Sequence, residues 1–301
     1  MSKKVSIIVP TYGGGDMLRR TIDSLLAQTY SNIEIVVVDD NGVGTPNQLN
    51  TEAVLKPYAQ NSTVKYICHD VNKNGAAARN TGVKASSGAY ICFLDDDDIY
   101  HPTKVERQVE MMETLDETYG MVYCSNEVYR GDKKVSEAHV YKSGYVFGDI
   151  LKCSIQISTP SMLVRREAYD SIGGFDESFR RHQDLEFLVR LTNRYKAQAM
   201  DFIGFRIYIT NRNSARSFEQ MYQWREHYLN KMMPYIQQLP KKEQKNILIY
   251  QRLSAAFQLV KDKRFKEYIL QCAKIKPGYR FFVSWYRNIM YFVKNILGIS
   301  H

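Results

Sequence analysis

The segment Tyr90-Ile-Cys-Phe-Leu-Asp-Asp-Asp-Asp98 decides the fold, because it joins a short apolar run directly to four consecutive aspartates. An unbroken apolar run of this length predicts a strand that is buried on both faces. Strands of that kind belong to largely parallel sheets that helices cover on both sides. Ligands of such sheets bind beyond the carboxyl ends of the strands, so the acidic run Asp95–Asp98 is expected at a binding site.

The first half of the chain alternates strand and helix patterns. Strands are predicted at Val5–Val9, where Pro10 stops the run, at Ile33–Val38 and at Val64–Cys68, with helices at Asp16–Thr29, Gln48–Tyr58 and Ala76–Ala85. We therefore predict an α/β, Rossmann-like fold with a mainly parallel sheet and helices on both faces. Pro10-Thr11, Asp39-Asp40 and the acidic run then meet at one edge of this sheet.

The pattern loosens in the second half. After a helix at Lys104–Leu115, we predict strands at Met121–Tyr129, Val135–Val140 and Ser161–Val164, a helix at Arg181–Tyr195 and a closing strand at Ala199–Ile209. From about Asn213 the pattern is helical. The sequence thus predicts an α/β domain at residues 1–212 and a helical C-terminal extension at residues 213–301.

The net charge of +9 is unevenly distributed along the chain. Residues 213–301 contain 16 Lys and Arg against 5 Asp and Glu, whereas the preceding 212 residues have a net charge of −2. This asymmetry predicts two functional zones. Nucleic acid is not an expected partner, because the basic region shows no recognisable binding module and the acidic front would oppose phosphates.

The sequence also limits where the protein works. Five cysteines without a C-x-x-C pair fit a reducing compartment. The first apolar stretch, Val5–Val9, is too short for a signal-peptide core. The sequence contains no run of 18 uncharged apolar residues, so no transmembrane helix is predicted. The cytoplasm is therefore the expected location.

The acidic run predicts a metal site. Like charges ~4 Å apart cost on the order of 4 kcal/mol per pair at an effective dielectric constant of 20. A hard divalent cation bound through carboxylate oxygens would offset that repulsion. Asp95 and Asp97 can face one ion only if a turn separates them. The competing interpretation is a solvated acidic turn, and the position directly after a buried strand favours the metal.

A glycine cluster, Gly13-Gly14-Gly15, follows the first strand and imitates a dinucleotide-binding turn. Leu18 stands where the G-x-G-x-x-G pattern needs its third glycine, which argues against a dehydrogenase. A nucleotide can still bind at this edge, with Asp40 contacting its base or ribose. Pro10-Thr11-Tyr12 would then form the opposite wall.

Two charged residues at predicted helix starts are further candidates. Arg79 has a guanidinium that suits a base or a phosphate, although a plain surface arginine is the alternative. Asp184 opens a predicted helix after a turn that begins at Gly173-Gly174 and, taken alone, is interpreted as an ordinary acid in the first turn of that helix. His182 is expected to be a hydrogen-bonded loop residue, because no second histidine or cysteine lies at ligand spacing.

Taken together, the ordered segments make the chain resemble a family 2 glycosyltransferase with the GT-A fold, inverting and of the bacterial polysaccharide type. The matching segments are Val5–Tyr12, Thr21–Thr29, Ile35–Asn41, Gly75–Gly82, Gly88–Asp98 and Gly173–Leu191. Each is a weak motif by itself. Their order over about two thirds of the chain carries the resemblance.

The resemblance implies a role for individual residues. Asp184 matches the catalytic base, and Asp95 and Asp97 match the DxD pair that holds Mn²⁺ or Mg²⁺ against the donor diphosphate. Asp98 matches the further acid of that motif. The residues that correspond to the nucleotide-binding site are Pro10, Thr11, Tyr12, Asp40, Arg79, Asp95 and Asp96.

The sequence departs from the family pattern at two places. Gln183 replaces the glutamate of the family's Glu-Asp pair, so only Asp184 offers a carboxylate there. A late metal-binding histidine of some members should fall near Tyr208 to Ser217, where Asn211 and Arg212 stand instead. The metal would then depend on the aspartates, the diphosphate and water.

The implied reaction transfers a sugar from a nucleotide-diphosphate sugar to a hydroxyl of a saccharide or lipid-linked saccharide, in cell-surface polysaccharide synthesis. UDP is the preferred nucleotide by resemblance, with GDP and dTDP as alternatives. A sugar nucleotidyltransferase is the nearest other function. It would release pyrophosphate instead of a nucleoside diphosphate.

The C-terminal segment 279–298 is rich in aromatic and aliphatic residues, with cations at Arg280, Arg287 and Lys294. A spacing of seven places these cations on one stripe of a helix. Such a helix either packs on the preceding domain or lies on an anionic membrane. The second interpretation predicts a peripheral protein at the inner face of the cell membrane, which suits a lipid-linked acceptor.

Overall fold

The computed structural model describes residues 2–13, 15–210 and 217–275. The chain divides into two compact units, Met1–Phe147 with Ile155–Thr210, and Gly148–Ser154 with Asn211–His301. The strands are β1 (Val5–Thr11), β2 (Ile33–Asp39), β3 (Val64–Cys68), β4 (Tyr90–Phe93), β5 (Ile99–Tyr100), β6 (Tyr119–Arg130), β7 (Lys133–Ala138), β8 (Met162–Arg165) and β9 (Lys196–Tyr208). The helices are α1 (Asp16–Leu26), α2 (Pro46–Leu55), α3 (Gly75–Lys84), α4 (Lys104–Glu113), α5 (Phe147–Leu151), α6 (Arg166–Ser171), α7 (Gln183–Arg194), α8 (Phe218–Ile236), α9 (Lys241–Lys261) and α10 (Phe265–Ile275).

All the described strands belong to one mixed sheet. Its order is β3-β2-β1-β4-β8-β6-β9-β5, with β7 paired to β6. Among β1 to β4, the pairs β1–β2, β1–β4 and β2–β3 are all parallel. β8 is antiparallel to both β4 and β6, and β9 runs parallel to β6. The predicted α/β fold with a mainly parallel sheet is confirmed, and the antiparallel pairs are β4–β8, β5–β9, β6–β7 and β6–β8.

The apolar runs of β1, β2 and β4 are buried because helices cover both faces of these strands. Ile7, Val37 and Cys92 have no exposed surface and belong to one continuous core. On one face, α3 approaches β1 so closely that a methyl group on Gly82 would lie 2.4 Å from Ile8 Cγ2. The absence of a side chain at Gly82 therefore allows α3 to pack this closely on β1.

Several predicted boundaries shift. β1 continues through Pro10 to Thr11. The pairing of β1 with β4 ends at Ile8, so at Pro10 the strand has only β2 as a neighbour and can accommodate a residue without an N–H. The helix expected to reach Tyr58 turns into a 3₁₀ segment at Lys56–Tyr58, which contains Pro57. β5, with two residues, and α6, with six, were too short for a periodicity to predict.

The second unit is helical in its described part. α8 begins at a cap in which Ser217 accepts a hydrogen bond from the Gln220 N–H at 3.2 Å. Its core joins residues of α8, α9 and α10, including Phe218, Leu259 and Tyr268. Within residues 2–13, 15–210 and 217–275, no helix is long and apolar enough to span a membrane. The segment 279–298 lies outside these residues.

Candidate active site

The three polar strand ends meet, as the sheet pattern predicts. Thr11, the last residue of β1, donates from Oγ1 to Asp96 Oδ2 at 2.6 Å, and both side chains are buried. The Asp40 N–H donates to the Thr11 carbonyl at 2.9 Å. Beyond β1, the Gly13 N–H donates to Asn41 Oδ1 at 2.8 Å. These bonds join the ends of β1, β2 and β4 into one edge.

The acidic run forms a turn in which its side chains alternate. The Asp98 N–H donates to the Asp95 carbonyl at 3.2 Å, so the backbone reverses within these four residues. Asp96 and Asp98 are buried, whereas Asp95 and Asp97 are partly exposed. The turn needed to place Asp95 and Asp97 on a common side is therefore present.

Asp98 belongs to the protein interior. It accepts a hydrogen bond from the Tyr208 N–H at 3.0 Å, and Thr21 Oγ1 donates to its carbonyl at 2.8 Å. Burial, together with the charge of Asp95, raises the pKa of Asp98 to about 9. The raised pKa favours the uncharged form of this carboxyl, which reduces the repulsion within the run. The hydrogen bond that Asp96 accepts from the Thr11 hydroxyl reduces it further.

Asp95 and Asp97 are the carboxylates suited to a divalent cation. Asp95 pairs with Arg79 NH2 at 2.7 Å and keeps 44% of its side chain exposed. Asp97 Oδ2 accepts a hydrogen bond from Thr210 Oγ1 at 3.0 Å. No group of three His, Cys, Asp or Glu forms a metal site within the described ranges. The two acids fit Mn²⁺ or Mg²⁺ if a diphosphate and water supply the other oxygen ligands.

Arg79 connects the acidic run to the start of α7. Asn74 caps α3 by accepting from the Ala76 N–H at 2.8 Å, which stabilises the start of the helix that carries Arg79. The guanidinium donates to Asp95 and, at 3.1 Å, to Gln183 Oε1. Only 12% of this side chain is exposed, so it is no ordinary surface arginine. Its Nε is buried without a hydrogen-bond partner in the described structure.

Asp184 lies exposed in the first turn of α7, next to the Gln183 that receives Arg79. The preceding loop needs glycine at 174, where φ is +70° and a methyl group would lie 2.7 Å from the Tyr169 hydroxyl. Phe175 then stacks on Phe187 of α7 with ring centroids 4.4 Å apart. This packing holds the start of α7, where the predicted base directly follows Gln183, the residue that accepts a hydrogen bond from Arg79.

His182 ends this loop with a left-handed backbone, at φ +63°. It occupies the N-cap position of α7. No group of metal-ligating residues includes it among those the structure describes.

Asp40 lies on the same edge of the sheet, but its carboxylate is buried and hydrogen-bonded to other residues of the chain. Oδ1 accepts the Lys73 N–H at 2.8 Å and lies 2.7 Å from His69 Nδ1. Oδ2 accepts the Asn72 side-chain amide at 2.8 Å and the Asn74 N–H at 2.9 Å. Only 3% of Asp40 is exposed. Its contact with a nucleotide stays a prediction, while its hydrogen bonds shape the loop that leads to α3.

The opposite wall is open. Tyr12 is exposed, and Pro10 is partly exposed at the end of β1. A base or ribose can therefore reach both residues. Their predicted contact with the nucleotide stays a prediction.

Sequence reasoning missed three contributors to the acidic run, namely Thr21, Tyr208 and Thr210. Thr21 lies in a helix whose periodicity identifies only its apolar face. Thr210 follows the closing strand, so the strand-end rule that selected Asp40 and Asp95 could have selected it as well. In the stretch expected to hold a late histidine, Asn211 and Arg212 lie outside the described residues.

A sequence profile described as glycosyl transferase family 2 matches residues 6–173, which include the acidic run and Arg79. The chain belongs to glycosyl transferase family 2. The matched part of this family 2 chain corresponds to 31–57% of the length of the first curated relatives. One relative is the Escherichia coli UDP-Glc:alpha-D-GlcNAc-diphosphoundecaprenol beta-1,3-glucosyltransferase WfgD, 35% identical over 133 residues, which are 44% of this chain and 49% of WfgD.

Solved structures confirm the GT-A fold of this family 2 chain. The S. aureus TarS 1-349 complex with UDP-GlcNAc aligns with a TM-score of 0.58 and 18% identity, covering 85% of this chain and 81% of that one. The mannosyltransferase PcManGT from Pyrobaculum calidifontis, in complex with GDP-Man and Mn²⁺, aligns with a TM-score of 0.60 and 16% identity, covering 100% of this chain and 89% of that one. At these identities the likeness concerns the fold.

Proposed function

We propose that the chain is an inverting glycosyltransferase that moves a sugar from a nucleotide-diphosphate sugar, preferably a UDP-sugar, to a hydroxyl of a saccharide or lipid-linked acceptor. The observation that supports this proposal is the hydrogen-bonded connection, in a family 2 chain, from Asp95 through Arg79 to Gln183, the residue that precedes Asp184. The proposed setting is cell-surface polysaccharide synthesis. The acceptor in the name of WfgD, a diphosphoundecaprenol-linked GlcNAc, supports that setting.

The donor and the cation are inferred from the site and the relatives. WfgD has UDP-Glc in its name, TarS holds UDP-GlcNAc, and PcManGT holds GDP-Man with Mn²⁺. Asp95 and Asp97 would hold Mn²⁺ or Mg²⁺ in this chain. A cation bound there neutralises charge on the leaving diphosphate as a Lewis acid.

The protein residues bind, orient and accept a proton. Pro10 and Tyr12 form one side of the nucleotide site, and the buried Thr11 between them acts through its hydrogen bond to Asp96. Arg79 and Asp40 lie on the other, with Asp40 acting through the loop that it shapes. Asp184 accepts the proton of the acceptor hydroxyl while that oxygen attacks the anomeric carbon. A single displacement of this kind inverts the anomeric configuration.

The first test is to incubate the full chain with UDP-, GDP- and dTDP-sugars and Mn²⁺, with and without EDTA, and to identify the released nucleotide. We expect hydrolysis of one donor class to a nucleoside diphosphate, and its loss with EDTA. Release of pyrophosphate would instead identify a sugar nucleotidyltransferase. Absence of any donor turnover or binding would contradict the proposal.

Asp184→Asn tests the base. We expect kcat to fall by about 10² to 10⁴-fold, the contribution of general-base assistance, while the Kd for UDP with Mn²⁺ changes less than twofold. Glu167→Gln is the matched control, because Glu167 is an exposed acid in the first turn of α6. Turnover and calorimetric UDP binding are measured for both variants. Undiminished turnover in Asp184→Asn would remove the residue from the mechanism.

We also propose peripheral contact with an anionic membrane through 279–298. In the described part of the second unit, α10 exposes Phe265, Ile269 and Leu270, with the exposed Lys266 and Lys274 beside them. Exposed apolar residues flanked by lysines fit an anionic lipid surface, where each cation adds ~1 kcal/mol.

Replacing Arg280, Arg287 and Lys294 together by Gln should weaken flotation with phosphatidylglycerol vesicles by at least about tenfold. Replacing Lys241, Lys242 and Lys245, which belong to α9, is the control for net charge. Equal loss in both triple variants would show nonspecific attraction. No loss in either would contradict the membrane contact.

A further inference from the structure

A basic and aromatic patch borders the acidic run. It consists of Arg20 on α1, Arg206 and Tyr208 at the end of β9, and Tyr129 at the end of β6, and we name it the Arg20 patch. The guanidinium carbon of Arg206 lies 3.9 Å from the ring centroid of Tyr129. The Tyr129 and Tyr208 ring centroids are 6.0 Å apart. The sequence pattern gave this cluster no role.

Arg20 is held in place without being neutralised. Its guanidinium carbon lies 4.5 Å from the ring centroid of Tyr208, and NH2 donates to the Tyr208 hydroxyl at 2.5 Å. Among the described residues, its other polar contact is from NH1 to Met17 Sδ at 3.6 Å. Arg20 is exposed, and no carboxylate pairs with it in the parts of the chain that the structure describes. Several of its N–H donors therefore face solvent in a fixed orientation.

Arg206 differs because a buried acid neutralises it. Glu127 accepts from Arg206 Nε at 2.9 Å and from NH2 at 2.8 Å. Glu127 also lies 3.0 Å from His101 Nε2 and 3.5 Å from Lys134 Nζ. The Glu127 carboxylate thus interacts with several basic groups, and Arg20 is not among them.

The Tyr208 hydroxyl brings the two cations together. It accepts from Arg20 and, at 3.2 Å, from Arg206 NH1. Glu127 pairs with Arg206, whereas no carboxylate among the described residues pairs with Arg20. This uncompensated charge favours an anion at Arg20, where the donors are exposed.

The Arg20 patch lies next to the predicted metal-binding acids. Thr21, the neighbour of Arg20, donates to the Asp98 carbonyl, and the Tyr208 N–H donates to the Asp98 carboxyl. Two residues beyond Tyr208, Thr210 donates to Asp97. A ligand at the acidic run that carries a second anionic group therefore meets a preoriented guanidinium. The planar N–H fork of arginine matches phosphate oxygens.

We propose that the Arg20 patch binds a phosphate group of a substrate. The inference rests on the proposed function, since the phosphate belongs either to a phosphate-linked acceptor or to the donor diphosphate. Arg20 supplies the N–H fork, Tyr208 orients it, and Arg206 with Glu127 keeps the tyrosine in position.

The test is calorimetric titration of the full chain with inorganic phosphate and with pyrophosphate. We expect Arg20→Gln to raise the Kd about ten- to a hundredfold, the loss of charge-assisted hydrogen bonds. Arg19→Gln is the matched control, because Arg19 is the adjacent exposed arginine of α1, and its Kd should change less than twofold. Tyr208→Phe keeps the ring without the hydroxyl, so a few-fold loss is expected. Thermal melts verify that the variants fold.

Repeating the titration with saturating UDP and Mn²⁺ distinguishes the two sources of phosphate. Binding that persists and depends on Arg20 assigns the patch to the acceptor, and binding that UDP abolishes assigns it to the donor. No measurable binding in the wild-type protein, or equal binding in Arg20→Gln and Arg19→Gln, overturns the proposal. Failure of UDP to bind, with Arg20-dependent phosphate binding retained, would refute the proposed function and leave the patch in place.

Discussion

The acids that end β2 and those that end β4 look alike in sequence and differ in the structure. Asp40 follows a buried strand, as the acidic run does, but its carboxylate oxygens accept hydrogen bonds from the loop at residues 72–74. In the acidic run, Asp96 and Asp98 are enclosed in the same way, whereas Asp95 and Asp97 keep exposed surface. The position of an acid at a strand end therefore identifies the edge of the sheet where ligands can bind. The exposed fraction of its side chain then distinguishes an acid that stabilises the fold from an acid that can bind a ligand.

The largest expected effect is on stability. Asp40→Asn should lower the free energy of unfolding by about 3 kcal/mol, because an amide cannot accept from both the Lys73 and Asn74 N–H groups and leaves a buried donor unpaired. Urea denaturation measures it. Asp95→Asn is the comparison variant and should cost no more than about 1 kcal/mol, since that ion pair is partly exposed. Unchanged stability with lost UDP affinity would assign Asp40 to the nucleotide and end the contrast.

Asp97→Asn should act on the ligand instead of the fold. We expect Mn²⁺ affinity in the presence of UDP to fall about ten- to a hundredfold, since a carboxylate oxygen is replaced by a poorer ligand. The midpoint of thermal unfolding should not change. Titration followed by electron paramagnetic resonance measures free Mn²⁺. Asp132→Asn, an exposed acid in the turn between β6 and β7, is the control. Retained Mn²⁺ affinity would place the cation elsewhere.

Thr11→Val is the smallest and sharpest change. The variant keeps the shape of the side chain but removes the hydroxyl that donates to Asp96 at 2.6 Å. We expect a loss of about 1–2 kcal/mol in urea denaturation. Thr118→Val, at an exposed turn, is the control. If stability is unaffected while UDP binding weakens, Asp96 belongs with the ligand-binding acids.

The sequence predicts the edge better than the contacts made at it. The buried strands and the turn in the acidic run follow from the local sequence pattern, since apolar runs and strand ends are local properties. The hydrogen-bond partners of each acid cannot be predicted in this way, because they are distant in sequence. Thr11 and Asp96 are 85 residues apart, and Arg79 and Gln183 are 104 apart. In the sequence, Gln183 is notable only because it replaces a glutamate of the family pattern. The structure shows that its amide oxygen accepts a hydrogen bond from Arg79, which also donates to Asp95.

The helical unit is discontinuous in sequence, because Gly148–Ser154 belongs to it together with the C-terminal region. Gln251 of α9 donates to the Leu151 carbonyl and to Cys153 Sγ, and also accepts from Arg225. A chimera made with one junction after Thr210 would pair a foreign helical region with the original 148–154 segment. Exchange of the unit between relatives therefore requires three junctions, one on each side of 148–154 and one after Thr210.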